Sequence, residues 1–113
     1  GYPAGEMKHG PIAMLDPGAP VVFIARSDSQ TEKAISNMME VKARGACLIA
    51  IHTKGDEEVQ ALADISIPVP ETADFTSPLI TVLPLQLIAY HAGLALGRDV
   101  DKPRNLAKSV TVE

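Results

Sequence analysis

Aromatic residues are scarce in this sequence, and tryptophan is absent. Aromatic residues make up 4% of the 113 residues, whereas hydrophobic residues as a whole make up 46%. A core built from this chain must therefore be aliphatic. The apolar content is sufficient for one small globular domain or for a piece of a larger one.

Cysteine is nearly absent as well, since Cys47 is the single one in the sequence. One cysteine excludes an intrachain disulfide and a cysteine-based metal cluster, and it fits a reducing compartment such as the cytoplasm. Cys47 lies inside the apolar run of residues 46–51. A thiol in such a run is usually inert packing, so we do not expect it to act as a nucleophile.

Runs of positive charge are also missing. The sequence has 10 Lys and Arg residues against 14 Asp and Glu residues, which gives a net charge of −4. This balance argues against nucleic acid as a partner and against binding to an anionic membrane surface. No signal peptide is visible. The longest apolar stretch, residues 78–96, contains Pro84, Gln86 and His91, and we expect it to be a buried helix of a soluble protein.

Signatures of cofactor and metal sites are lacking too. No glycine-rich phosphate loop is present, and the three histidines lie far apart without the i, i+4 spacing of a helical metal site. We therefore expect neither metal nor cofactor. His52 is interpreted as a surface loop residue and His91 as a buried or interface histidine.

The apolar runs that are present predict an α/β fold. Residues 21–25 and 47–51 are continuous apolar runs, typical of strands covered on both faces in a parallel sheet. Residues 31–44 between them have helical spacing, with capping residues at 27–29 and a stop at Gly45. These segments form a βαβ unit.

Two further elements complete the prediction. Residues 65–70 form a third strand, in which Pro68 indicates a sheet edge or a position near the strand end. Residues 79–96 form a last helix, which Pro84 should kink or interrupt. The expected architecture is a three-layer αβα fold with a parallel sheet. Three strands are few for such a sheet, so we expect the chain to be a fragment with more strands upstream.

The two ends carry the candidate chemical groups. Residues 1–11 are rich in glycine and proline and predict a turn that presents His9, either as a proton shuttle or as a loop histidine bonded to backbone. Glu6 and Lys8 beside it are an acid–base candidate or simply solvated charges. At the other end, Lys108 follows Ala107 in a tail with alternating apolar residues. This lysine is either an ordinary surface lysine or an amine nucleophile or phosphate clamp in a pocket.

Three segments together are specific: residues 3–11, 84–91 and 99–113. They closely resemble the C-terminal end of the glutamine–fructose-6-phosphate aminotransferases, also called glucosamine-6-phosphate synthases, and the resemblance covers essentially the whole chain. It implies that residues 1–97 form most of the second of two sugar isomerase (SIS) folds. Residues 98–113 would be the tail that closes over the sugar site.

The resemblance also implies an activity and roles for individual residues. Such enzymes pass ammonia from glutamine to fructose 6-phosphate and isomerise the product to glucosamine 6-phosphate, without metal or cofactor. Lys108 resembles the lysine that forms a Schiff base with the open-chain sugar, and Ala107 resembles its neighbour at the sugar site. His9 resembles the histidine that assists ring opening and serves the neighbouring subunit of a homodimer.

Other parts of such an enzyme would lie outside this chain. The glutamate base of the isomerisation, the phosphate loop and the glutaminase cysteine are expected upstream, so the fragment alone should be inactive and should bind sugar weakly or not at all. Two alternatives stay open: another SIS sugar-phosphate isomerase or deglycase, and a non-catalytic SIS module that binds sugar phosphates. The complete tail argues against the first alternative, and the presence of both His9 and Lys108 argues against the second.

Overall fold

The computed structural model describes residues 1–102, which form helices and a three-stranded parallel sheet. The α/β class and all three predicted strands are confirmed. In chain order the elements are two 3-10 helices (Ala4–His9 and Pro11–Met14), β1 (Pro20–Ala25), α1 (Thr31–Ala43), β2 (Cys47–Thr53), α2 (Glu57–Leu62), β3 (Ile65–Val69) and α3 (Ser77–Ala95).

The sheet of the described residues has the order β1-β2-β3, and both pairs are parallel. Phe23 lies opposite Ala50, and Ile51 lies opposite Ile67. Because α1 connects two adjacent parallel strands, the predicted βαβ unit is confirmed. Pro68 lies in an outer strand, as predicted, where its missing N–H interrupts no ladder.

One aliphatic cluster joins the two 3-10 helices, β1, α1, β2 and α2. Phe23 and Ala50 share a face of the sheet, and α1 and α2 contribute buried side chains to the same cluster. The buried members of the cluster are Met7, Ile12, Phe23, Ala25, Ile35, Met38, Val41, Ala46, Leu48, Ala50 and Val59. On the opposite face of the sheet, Val22, Ile24 and Ile65 are exposed.

Helix α1 buries one of two consecutive methionines and lacks its predicted N-cap. Met38 is fully buried, but Met39 is 56% exposed, because consecutive helical residues point about 100° apart. The predicted N-caps at residues 27–29 do not cap the helix, since Gln30 occupies the N-cap position without a side-chain hydrogen bond. Asp28 instead accepts a hydrogen bond from the Gln30 N–H at 2.7 Å. The predicted stop is confirmed at Gly45, whose φ of 77° favours glycine.

Helix α3 contradicts its predicted burial, and of the two effects predicted for Pro84, a kink or an interruption, it excludes the interruption. It runs from Ser77 to Ala95 without interruption at Pro84. It was expected to be buried, yet only Ser77 and Thr81 are buried within it. Its apolar residues surround the helix instead of forming one stripe, so no single face could bury them all. By length and composition alone α3 could cross a membrane, but core helices of soluble proteins can have the same length and composition.

The chain divides into two compact units, the first spanning Gly1–Thr81 and the second starting at Val82. In the second unit α3 ends in a turn in which the Gly97 N–H donates to Leu94 and the Arg98 N–H donates to Gly93. Gly97 has a φ of 64°. The predicted helix stop at this glycine is therefore confirmed.

Asp64 ties the start of β3 to β2. Its carboxylate accepts a hydrogen bond from the Leu48 N–H at 2.8 Å, and its own N–H donates to the Leu48 carbonyl at 2.9 Å. The Leu48 hydrogen bond lowers the pKa of the Asp64 carboxyl below its ordinary 3.8, and desolvation partly opposes this shift. The Lys42 ammonium, 3.6 Å away, adds to the lowering.

This geometry predicts an acid-dependent contribution of Asp64 to stability. Because the folded state lowers its pKa, the contribution is present above the ordinary pKa of 3.8 and is lost as pH falls through the folded value. Asp64→Asn should lower the urea midpoint near neutral pH, and the gap to the unsubstituted protein should close in acid. A gap that is constant across the titration would contradict this linkage.

The two methionines of α1 supply a matched pair for the core. Met38→Ala should lower the free energy of unfolding by about 2–5 kcal/mol because it leaves a cavity in the aliphatic cluster. Met39→Ala, one position further and exposed, should change it by no more than about 0.5 kcal/mol. Urea unfolding followed by circular dichroism measures both. Equal losses for the two variants would refute the described orientation of α1.

Candidate functional site

The predicted N-terminal turn is a 3-10 helix, Ala4–His9. Its i, i+3 hydrogen bonding begins with the Glu6 N–H, which donates to the Pro3 carbonyl at 2.9 Å. The helix ends at Gly10, whose φ of 154° is in the range that favours glycine. Met7 points from this helix into the aliphatic cluster. A buried apolar side chain therefore fixes the segment that carries His9.

Lys8 provides a second anchor. Its ammonium lies 2.6 Å from the Glu40 carboxylate of α1. Glu6 and Lys8, considered together from the sequence as an acid–base candidate, are therefore engaged with different partners. Lys8 holds the 3-10 helix to α1, and Glu6 is left to contact His9.

His9 and Glu6 form a pair on the outside of this helix. The His9 Nδ1 lies 2.8 Å from the Glu6 Oε2, and the side chains are 73% and 60% exposed. A carboxylate can only accept a hydrogen bond, so Nδ1 carries the proton in this contact. In the neutral imidazole Nε2 is then free to accept a proton. Sequence reasoning missed this pair, although the i, i+3 spacing was the signal for it.

The other two histidines differ in outcome: His52 was placed wrongly from the sequence, whereas for His91 burial is excluded and a place at an interface stays a prediction. His52 is fully buried, because β2 extends to Thr53 and the predicted loop starts later. Its Nδ1 lies 2.9 Å from the Thr53 carbonyl and its Nε2 lies 2.7 Å from the Ser66 hydroxyl. With both ring nitrogens bonded, His52 is a structural residue. His91 is exposed rather than buried and contacts Tyr90 edge-on at 5.3 Å.

Polar residues also gather at the carboxyl ends of the strands, the edge at which open α/β sheets bind ligands. The Arg26 guanidinium lies 3.0 Å from Asp74, and the Ser27 hydroxyl donates to Asp56 at 2.8 Å. Sequence analysis did not single out Arg26, although a charged residue directly after a buried strand was the available signal. These groups bond to one another beside an open groove of about 250 Å³, lined by Ile24, Arg26, Asp28, Gln30 and Ala34.

Two further predictions concern a metal site and the residues of the tail. Within residues 1–102, no group of three His, Cys, Asp or Glu side chains is arranged to hold a metal ion. The predicted site residues Ala107 and Lys108 lie outside the described residues. Of the predicted sugar-site residues, the structure therefore positions His9.

Comparison with known proteins identifies the family. The sequence profile of the SIS domain matches residues 1–96. The chain belongs to the SIS domain family. Its fold agrees with a solved SIS structure described as the C-terminal domain of glucosamine-fructose-6-phosphate aminotransferase from Francisella tularensis. The TM-score is 0.82 at 39% identity, covering 89% of this chain and 29% of that one.

Curated relatives carry a related name. The chain is 58% identical over 113 residues to glutamine–fructose-6-phosphate aminotransferase (isomerizing) from Bacteroides thetaiotaomicron. The aligned region is 100% of this chain and 18% of the relative. It is also 58% identical over 112 residues to a protein of the same name from Thermus thermophilus, again over 18% of the relative's length. The chain thus spans about a fifth of the length of these relatives.

The structural role of His52 can be tested by the effect of its removal on the free energy of unfolding. His52→Ala should lower the free energy of unfolding by about 2–4 kcal/mol, because it removes packing and two hydrogen bonds from the interior. His91→Ala, at an exposed position, should change it by no more than about 0.5 kcal/mol. Chemical denaturation measures both values, and a fully stable His52→Ala protein would contradict the described burial.

Proposed function

We propose that this chain is the C-terminal segment of a glutamine–fructose-6-phosphate aminotransferase. The observation that carries the proposal is the 58% identity over the whole chain with relatives of that name. The complete enzyme would convert fructose 6-phosphate and glutamine into glucosamine 6-phosphate and glutamate. Residues 1–97 would be most of a second SIS fold, and residues 98–113 would be the tail that closes over the sugar.

The exposed apolar surfaces support a role inside a longer protein. Val22 and Ile24 are exposed on the sheet, and Leu83 and Leu87 of α3 are more than half exposed. Contiguous apolar surface on a soluble protein usually marks an interface. In our proposal the rest of the aminotransferase and a second subunit cover these surfaces, and the assembled homodimer works in the cytoplasm.

The two ends of the chain would have separate roles in this reaction. His9 would assist opening of the sugar ring, at the active site of the neighbouring subunit. The Lys108 amine would then attack the open-chain ketone at C2 and release water, which gives a Schiff base that activates the sugar for transfer of the amino group. Ala107 would line the sugar site beside it. No metal or cofactor takes part.

The Schiff base can be trapped. The probe protein is the Bacteroides thetaiotaomicron relative in which this chain replaces the corresponding 113 residues. Incubation with fructose 6-phosphate and borohydride should leave a reduced sugar adduct on Lys108, read by peptide mass spectrometry. Lys108→Arg keeps the positive charge but is a poor nucleophile, so it should give no adduct and should lower turnover at least about 100-fold.

Two controls separate the possible results. The 113-residue chain alone should form no glucosamine 6-phosphate and should show weak or no binding of fructose 6-phosphate in calorimetry. Micromolar binding by the isolated chain would refute its dependence on the rest of the enzyme. If the chimeric enzyme binds sugar without an adduct on Lys108, the lysine is a phosphate clamp and the covalent role is wrong.

A further inference from the structure

We propose that Glu6 is a positioning residue for His9: it fixes the imidazole tautomer and orientation needed for opening of the sugar ring. This inference rests on the proposed function, because it needs His9 to meet the sugar. It is carried by the contact between Glu6 Oε2 and His9 Nδ1, which are 2.8 Å apart.

The geometry of the short helix brings the two side chains together. In a 3-10 helix the side chains at i and i+3 eclipse one another, and Glu6 and His9 have this spacing in the helix Ala4–His9. Met7, between them in sequence, enters the core, and Lys8 is bonded to Glu40. The backbone under the pair is therefore held from the opposite side, without using either Glu6 or His9.

The contact between Glu6 and His9 contributes little to the stability of the fold. Both side chains are mostly exposed, and an exposed ion pair contributes little to folding because water screens it. What the contact does determine is the state of the ring. With Nδ1–H donated to the carboxylate, Nε2 of the neutral imidazole is the proton acceptor and faces away from the bond to Glu6.

This arrangement suits one chemical step, opening of the furanose form of fructose 6-phosphate. Nε2 removes the proton of the hydroxyl on C2, and a carbonyl forms between C2 and that oxygen. The bond between C2 and the ring oxygen breaks, and the ring oxygen keeps the electron pair and takes a proton from water. The imidazolium then returns its proton to water, so no other reactant is consumed.

The experiment compares a substrate that must open its ring with one that cannot close it. 5-Deoxyfructose 6-phosphate lacks the hydroxyl that closes the furanose and therefore stays open. In the chimeric full-length enzyme, Glu6→Gln should lower kcat with fructose 6-phosphate about tenfold or more. With the 5-deoxy substrate it should change the rate less than about twofold, since the step that needs His9 is bypassed. Product is measured by mass spectrometry.

Three matched variants sharpen the test. Glu6→Asp keeps a carboxylate and should recover part of the loss with fructose 6-phosphate. Glu58→Gln removes an exposed carboxylate of α2 that has no contact with the 3-10 helix, and should leave both rates within about twofold. In a His9→Asn enzyme, adding Glu6→Gln should cause no further loss, because coupled residues act as one unit.

The outcomes are distinguishable. A selective loss with fructose 6-phosphate supports the positioning role, and retained turnover of the 5-deoxy substrate shows that the variant is folded. An equal loss with both substrates, or no loss with either, overturns the role of Glu6 while the proposed function stands. If the unsubstituted chimera makes no glucosamine 6-phosphate, the proposed function fails, and the inference about Glu6 fails with it.

Discussion

The structure depends on the parallel pairing of β2 with a strand on each side. Leu48, Ala50 and Ile51 of β2 are fully buried, and the strand has no fully exposed residue, although Cys47 and Ile49 are partly exposed. Its register with β1 places Phe23 and Ala50 on one face, and α1 and α2 pack into the cluster that these residues begin. A shift of register by one residue would move every side chain of β2 to the other face, and Ala50 would then leave the cluster.

The 3-10 helix Ala4–His9 is attached to this same cluster. Met7 reaches the cluster from the 3-10 helix, while Lys8 bonds to Glu40 on the exterior of α1. These two contacts join a glycine- and proline-rich segment to the central βαβ unit. Binding and catalytic residues commonly lie on irregular segments that a rigid scaffold holds in place, and His9 fits that arrangement.

The elements that are locally encoded could be predicted from the sequence. The three strands, α1 and the βαβ order follow from apolar runs, helical spacing and Gly45. The errors concern what a residue meets in space. His52 is buried because β2 continues two residues beyond the apolar run, and α3 is largely exposed although apolar residues lie on all sides of it. The pair of Glu6 and His9 needed the 3-10 geometry, which the glycines and prolines of residues 1–11 did not reveal.

The exposure of His9 itself bears on how the active site is assembled. A proton-transfer group works in contact with its substrate and away from bulk water, yet the His9 side chain is 73% exposed. Residues 1–102 therefore do not enclose the surface that His9 would serve. Our proposal is that the sugar site of the neighbouring subunit supplies that surface. Met7 and Lys8 hold the helix that carries His9, and the imidazole points outward, so the proposed shared site can form without rearrangement of this helix.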